Sequence, residues 1–545
     1  MIDLTAVIYL IKLVIILYKQ RILPIGRLLK AMKKSSKTDS ATYISKDINE
    51  NITRLKDDFG HSSDIIINCI KSDNNKDLIW ANIYIKSLVD RNTINNLSSE
   101  LAELNFKDCS TEPDINFDIL MNYLPGLRDS KGGFDFESLY AALLSGDTVF
   151  LFDGCDKFLI VASETDESRS IEEPTSQTVI RGPKEGFTEN ININILLIRK
   201  RIKNIALRVE NMTIGSITKT TVSLMYIDKI AKEEIVQEIR NRLDRIEIDG
   251  ILEGGYIEEL IKDDRYSFFP TFLSSEKPDS VVAALLEGKV AILVDGTSYV
   301  LTVPALMVDF LQVSEDYYHH YVVSSVMRFF RFAAFFLTLL VPATYIALTT
   351  FHQEMIPTLL LVSLAAQREG VPFPAFFEAL LMEATFEILR EAGIRMPRAI
   401  GPAISIVGAL VLGQAAVEAG IISAAMVIIV SITAISSFAI PNYEMSNAIR
   451  LIRFALMFLA GVLGLYGVFM GLMVMVLHLC KIKSVTVPYL TPIAPRIKGM
   501  NRDTILRLPL WKMKRRPMGI SGTDASRVEE KNPVSSSQKS KPELR

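Results

Sequence analysis

The sequence predicts an α+β/α/β soluble N-terminal region with two related helix–hairpin subdomains, followed by an all-α transmembrane domain. Three observations carry that prediction. The 45 residues from Ala399 to Tyr443 hold a single charge, Glu418, and charge-free runs flank them at Phe332–Gln353 and Phe454–Cys480. About 20 apolar residues span a hydrocarbon layer, so stretches of this length read as membrane helices. Upstream, about 325 residues carry the charge density of ordinary aqueous sequence. Within them, Ser138-Leu-Tyr-Ala-Ala-Leu-Leu-Ser-Gly-Asp-Thr-Val-Phe-Leu-Phe-Asp-Gly154 aligns without gaps on Ser280-Val-Val-Ala-Ala-Leu-Leu-Glu-Gly-Lys-Val-Ala-Ile-Leu-Val-Asp-Gly296, with 9 of 17 positions identical.

The elements follow in chain order. Ile2–Tyr18 is mostly apolar, with Asp3 ahead of its apolar core and Lys19, Arg21 and Arg27 after it. A signal peptide has the opposite charge order, so the segment reads either as an extra anchor with a cytoplasmic basic flank or as a peripheral start. Residues 1–113 as a whole read as a variable, loosely helical leader, polar from Ser35 onward. Residues 114–225 and 226–325 form the two soluble subdomains. Each repeat copy has helical spacing up to Gly146 or Gly288, a natural C-terminal stop, then two strands joined at Asp153-Gly154 or Asp295-Gly296. Asp-Gly between apolar runs is a strong hairpin signal. A helix at Glu189–Lys203, a strand at Thr221–Ile227 and a helix at Lys229–Arg245 lie between the copies.

Residues 326–480 form the transmembrane domain of four to five helical segments, in which 355–393 reads as re-entrant or interfacial. The first segment, Val326–Thr350, carries Arg328 and Arg331 on its flank. In the next amphipathic stretch Glu383 and Glu387 share one helix face with Glu391. They read either as acids turned to water on an interfacial helix or as an acidic mouth that draws cations to a pore. Ile400–Glu418 is rich in Gly, Ala and Ser, residues that let membrane helices approach closely. One of its faces, Val407, Leu410, Gln414 and Glu418, grades from apolar to charged and is the candidate pore or gate, the alternative being a Glu that reaches the interface by snorkelling. Residues 481–545 form a basic tail with a disordered end. Its Lys and Arg place it in the cytoplasm, the side on which the soluble domain is also read. An even number of crossings then favours four.

Composition excludes several classes. Lys+Arg 60 against Asp+Glu 62 gives a net charge of -2 and no nucleic-acid signature. Mean hydropathy is +0.26, with the apolar excess in the C-terminal half. The four cysteines show no CxxC spacing and read as reduced thiols. There is no phosphate loop, no GxGxxG after a strand, no HExxH and no GxSxG. The expectation is a protein that is not an enzyme, with no cofactor, no metal site and no nucleic-acid partner.

Several stretches carry a family resemblance: Arg181-Gly-Pro-Lys-Glu-Gly-Phe-Thr-Glu-Asn190, Arg208-Val-Glu-Asn-Met-Thr-Ile-Gly215, Val371-Pro-Phe-Pro-Ala-Phe-Phe-Glu-Ala-Leu-Leu-Met-Glu-Ala-Thr-Phe-Glu-Ile-Leu-Arg-Glu-Ala-Gly393, and the run from Arg398 to Glu418. Residues 115–500 resemble the A subunit of the GerA-type spore germination receptor family. Arg181, Gly182, Pro183, Glu185, Gly186 and Phe187 form a family-like soluble motif. The resemblance implies a membrane subunit of a nutrient receptor in the spore inner membrane. It implies a transporter-like B subunit, to which the nutrient mainly binds, and a lipoprotein C subunit as partners. It further implies homo-oligomers that form or gate an ion path. A non-conducting scaffold, or the family relative that accompanies the dipicolinate-release machinery, is the alternative.

Overall fold

The computed structural model describes residues 43–71, 79–103, 131–165, 173–174, 177, 179–395, 413–496, 503–517, 519–524 and 526–527. The apolar N-terminus therefore lies outside the described residues, as do Val407 and Leu410.

The repeat reaches well beyond the 17-residue segment. The first half is built from α1 (Ile48–Asp58), β1 (Ile65–Lys71), β2 (Ile79–Ile85), α2 (Arg91–Glu103), β3 (Lys131–Gly133), α3 (Phe136–Ser145), β4 (Thr148–Phe152) and β5 (Phe158–Val161). The second is built from α4 (Ile191–Arg201), β6 (Leu207–Ile214), β7 (Thr220–Ile227), α5 (Glu233–Asp244), α6 (Gly254–Ile261), β8 (Leu273–Ser275), α7 (Pro278–Leu286), β9 (Val290–Val294) and β10 (Val300–Val303). Both sheets are antiparallel, in the orders β1-β2-β4-β5-β3 and β6-β7-β9-β10-β8. The two orders are the same topology.

Local hydrogen bonding repeats as well. Asp47 and Asn190 cap α1 and α4 by accepting from Asn49 N and Asn192 N. The turn aspartates Asp153 and Asp295 accept from the first amides of those helices, Ile48 N at 3.3 Å and Ile191 N at 3.2 Å. Gly154 N and Gly296 N donate to Lys46 O and Glu189 O at 2.9 and 2.8 Å. The buried Asn51 and Asn194 each clasp the loop before their helix, at Ser45 and Thr188. Ile48, Ile52 and Leu55, spaced along one face of α1, are buried, and Ile191, Ile195 and Ile198 do the same for α4.

The structure differs from the sequence reading at the domain boundaries. The hairpin β1–β2 supplies two strands of the first sheet from within the region read as a leader. A boundary at residue 225 falls inside β7. The Asn- and Ser-rich connections obscured two short apolar strands whose register sets Asn68 opposite Asn82. The two halves are joined by a buried ion pair, Arg199 Nε to Asp64 Oδ2 at 2.8 Å, and by Ser63 N donating to Val209 O at 2.7 Å.

The C-terminal half contains α8 (Tyr321–Thr350), α9 (Thr358–Arg368), α10 (Ala375–Arg395), α11 (Ala424–Phe438) and α12 (Tyr443–Lys481). Two of these, α8 and α12, are long and apolar enough to cross a membrane. Gly464 interrupts α12 with φ 62 and ψ -145, a left-handed conformation that favours glycine. A Cβ on Gly467 would collide with Leu459 O, and one on Gly471 with the Leu456 side chain. At 1.5 Å rise per residue such pairs do not meet on one continuous helix, so the arms 443–463 and 465–481 form an antiparallel hairpin.

Contacts at the ends of the helices fix their directions. Ser274 meets Glu444 at 3.2 Å and Ser267 meets His478 at 3.1 Å, so the hairpin's open end abuts the soluble domain. Gly464 packs against Phe351 and His352, so its tip lies at the far end of α8. Phe376 packs on Phe458 and would touch a Cβ at Gly461, whereas Arg390 stacks over Tyr443 and Phe438. Consequently α10 runs lengthwise along the first arm, from the far end back towards the soluble domain. For residues 355–393 the sequence led to a re-entrant or interfacial reading. The structure runs 375–393 lengthwise along the first arm of α12, a course that the second limb of a re-entrant hairpin also takes.

Candidate functional site

The soluble motif converges on the entry to α8. Ile180 N and Arg181 N donate to Glu315 Oε1 at 3.2 and 3.1 Å. Gly182 has φ +140, and a Cβ there would stand 2.7 Å from Tyr318 Cε2, so the position requires glycine. Pro183 is half-buried and Gly186 is buried, while Arg181 lies on the surface. Glu185 pairs with Arg201 at the end of α4. Phe187 is buried in the core of the second half, and its N–H donates to Glu276 O at 2.8 Å. Next to this loop, Tyr318 donates to Asp279 Oδ2 at 2.6 Å. Burial, then the Asp279 carboxylate, push the Tyr318 hydroxyl well above its ordinary pKa. The motif is therefore a joint between the repeats and the first long helix.

One turn further on, charges lock α8 to the domain. Buried Asp316 accepts from Arg328 Nε and Arg331 Nη1, both at 2.8 Å. Burial would raise the Asp316 carboxyl, but hydrogen bonds from Arg331 and Arg328 outweigh it and hold the pKa below the usual value. Arg328 also reaches Asp503 Oδ1 at 2.5 Å, and Tyr317 donates to the same carboxylate. The tail continues along α8, where Ser325 and Arg507 exchange bonds of 3.0 and 3.1 Å. It then crosses the second half, with Gly522 N on Ile230 O at 2.7 Å. The Arg328 and Arg331 of the sequence-level flank are thus structural partners. Their acidic complements, Asp316 and Asp503, had no periodicity that would single them out.

Inside the bundle lies a charged seam. Glu383 Oε2 is 2.7 Å from Arg453 Nη2, and Glu387 bridges Arg453 at 3.3 Å and Arg450 at 2.9 Å. Glu383 and Arg453 are fully buried. Glu378, also buried, accepts from Ser423 N and Oγ at 3.1 and 2.8 Å and pairs with Arg368 at 3.3 Å. Phe377, Leu380, Leu381 and Ile388 face outward from the same helix. This is the reverse of a water-facing amphipathic helix, with apolar side chains outside and ion pairs within. The four charges of Glu383, Glu387, Arg450 and Arg453 cancel. Sequence reasoning missed the two arginines. Their i,i+3 spacing at the start of an apolar helix matches the i,i+4 spacing of the two acids and was the available signal. Gln414 Nε2 donates to Glu418 Oε1 at 2.9 Å, and both residues are exposed.

An open depression of about 570 Å³ between β6 and α5, lined by Gly215, Asp244, Glu247 and Asp249 among others, is shallow and acidic. Among the described residues no group of three or more His, Cys, Asp and Glu could hold a metal ion.

A family model of Bacillus/Clostridium GerA spore germination proteins matches residues 53–519. Spore germination protein KA of Bacillus subtilis (strain 168) is 47% identical over 484 residues, covering 89% of this chain and 88% of that protein. The uncharacterized membrane protein YfkQ of the same organism is 48% identical over 377 residues, 69% of this chain and 74% of that protein. Spore germination protein A1, also of B. subtilis, is 39% identical over 433 residues, 79% of this chain and 88% of that protein. The crystal structure of the N-terminal domain of the A subunit of the Bacillus megaterium spore germinant receptor GerK3 is 36% identical, with a TM-score of 0.39. The match covers 49% of this chain and 99% of that one.

Proposed function

The chain belongs to the GerA spore germination protein family, a family of germination proteins and not of enzymes, and on that premise we propose that it is the membrane subunit through which a nutrient receptor triggers germination. In this reading it sits in the spore inner membrane with its duplicated domain and its tail in the cytoplasm. It assembles with copies of itself and with transporter-like B and lipoprotein C subunits, the nutrient binding mainly to B. The oligomer forms or gates an ion path.

The observation that carries the reading is the inverted bundle: apolar residues outward, and the buried Glu383–Arg453 pair at 2.7 Å inward. A lipid-embedded helix set has this distribution. Because Glu383 and Glu387 are neutralised within one protomer, they align α10 with α12, while exposed Gln414 and Glu418 remain the polar end of the path. Val407 and Leu410 complete the gate in this proposal. The test is flux in liposomes that contain the full receptor. Nutrient should release monovalent cations, and Val407→Ala or Leu410→Ala should leak without nutrient. Liposomes that pass no ions with every partner and the nutrient present would refute the conducting role and leave a scaffold.

A further inference from the structure

The C-terminal strap that crosses α8 exposes an apolar edge with a cationic end, and no part of the proposed function uses it. Ile505, Leu506, Leu510 and Trp511 are exposed, Trp511 at 68% and Leu506 at 59%. They are held in place from the protein side. Asp503 is fixed by Arg328, Arg507 exchanges bonds with Ser325, and the Trp511 ring stands edge-on to Tyr321 at 5.9 Å between centroids. The polar groups of the strap thus turn to α8 and its apolar groups turn away. Exposed Lys512, Lys514 and Arg515 follow immediately.

The strap's position along α8 identifies what covers this edge. Its contacts run from Arg328 back to Tyr321, next to the charge-free stretch that begins at Phe332. At 1.5 Å per residue this is roughly 6 to 16 Å above the start of that stretch, the depth of a headgroup layer and its outer edge. The outward face of α8 at the same level, Val326, Phe329 and Phe330, is exposed and apolar too, so the strap widens a surface that already faces lipid. Tryptophan prefers the membrane interface, and clustered Lys and Arg beside a span are attracted to anionic headgroups.

We propose that residues 505–515 form an interfacial anchor that seats Ile505, Leu506 and Trp511 in the headgroup layer of an anionic bilayer, with Lys512, Lys514 and Arg515 on lipid phosphates. The inference rests on the reading of α8 as membrane-spanning. Because Asp503 and Arg507 lie in the α8 lock, the anchor ties that lock to the membrane surface.

The experiment uses the full chain in vesicles of phosphatidylglycerol and phosphatidylcholine, with and without shallow-brominated lipid. Trp511 emission is isolated by subtracting the Trp511→Phe variant. Bromolipid should quench it at least twofold, and K512Q/K514Q/R515Q should cut that quenching at least threefold. A spectrum typical of water with no quenching overturns the anchor. So does a shielded Trp511 that is quenched by no lipid but transfers energy to a labelled second copy. F336W in the Trp511→Phe background reports exposure about 6 Å inside the start of the charge-free stretch, within reach of the shallow bromines. If its tryptophan is quenched and Trp511 is not, the anchor falls alone. If neither is quenched, the spanning reading falls and takes the anchor with it.

Discussion

Asp503→Asn is the most direct test of the lock between the tail and α8. Its carboxylate meets Arg328 at 2.5 Å and accepts from Tyr317, and Arg328 is wholly buried. Breaking a buried pair by removing one charge costs about 3–5 kcal/mol. Asp503 is 17% exposed, so water softens the loss to roughly 2–3 kcal/mol. At 1.4 kcal/mol per factor of ten, the population with an open strap rises about 30- to 150-fold. Hydrogen exchange in detergent or nanodiscs reads that opening at the strap amides, in particular Arg507 N, which donates to Ser325 Oγ at 3.1 Å. Arg328→Met should open the strap comparably, while Asp316 keeps its Arg331 partner at 2.8 Å. In the double variant the losses should fall short of additive by about 2 kcal/mol, because the second change removes a partner already lost. An Asp503→Asn exchange rate within threefold of wild type, or strict additivity, would refute the lock.

Gly182→Ala should cost about 1–3 kcal/mol, since it places a Cβ 2.7 Å from the Tyr318 ring at φ +140; faster exchange at the Ile180 and Arg181 amides checks it. Arg453→Met strands Glu383 in the bundle and should destabilise by about 3–5 kcal/mol in a detergent melt, whereas Arg453→Met with Glu383→Leu should recover most of that. Burial, then the nearby Glu444 carboxylate, push Glu258 from 4.5 up to about 8. The folded state then holds the extra proton, so its contribution is complete below about pH 4.5 and is lost as pH rises through 8. After allowance for partial exposure, stability should fall by about 1–2 kcal/mol between pH 5 and 8, and Glu258→Gln should flatten that slope.

The hairpin of each repeat was legible because Asp-Gly turns and the Ala-Ala-Leu-Leu helix survive in both copies. The front was legible in the second copy alone, as the helix at Glu189–Lys203. Its pattern Asn190-Ile-Asn-Ile-Asn-Ile195 recurs as Asp47-Ile-Asn-Glu-Asn-Ile52 in the stretch that reads as a leader, where the repeated asparagines give no helix signal of their own. Their role is a buried clasp on the preceding segment, which only the three-dimensional contact reveals. The acids of α10 were legible as a stripe, but the rule that charges face water assumes water outside. In the proposed membrane setting that preference inverts, which accords with the stripe turning to Arg450 and Arg453. The reversal at Gly464 was hidden in a run that is apolar throughout, where periodicity does not separate one long helix from a hairpin.

Among the described residues, buried arginine–carboxylate pairs stand at three joints: Arg199–Asp64 between the repeats, Arg328–Asp316 between domain and α8, and Arg453–Glu383 between α10 and α12. In each, one guanidinium nitrogen makes no hydrogen bond to another protein group: Arg199 Nη1, Arg328 Nη2 and Arg453 Nε. An unsatisfied buried donor costs about 1–3 kcal/mol, so none of these joints is as stable as a well-packed apolar contact would be. The first two have direction in common, because Asp64 and Asp316 accept hydrogen bonds from the guanidinium, whereas neither oxygen of Glu383 accepts one. A planar guanidinium holds a carboxylate in one geometry, whereas apolar surfaces slide. The repeat joint tests this, because Asp64 and Arg199 lie within the duplicated domain and touch none of the long apolar helices. R199M/D64L should match or exceed wild-type thermal stability, yet broaden the distance distribution between spin labels placed on the two repeats. Loss of stability in the double variant, with unchanged distances, would show that the pair serves as plain adhesive.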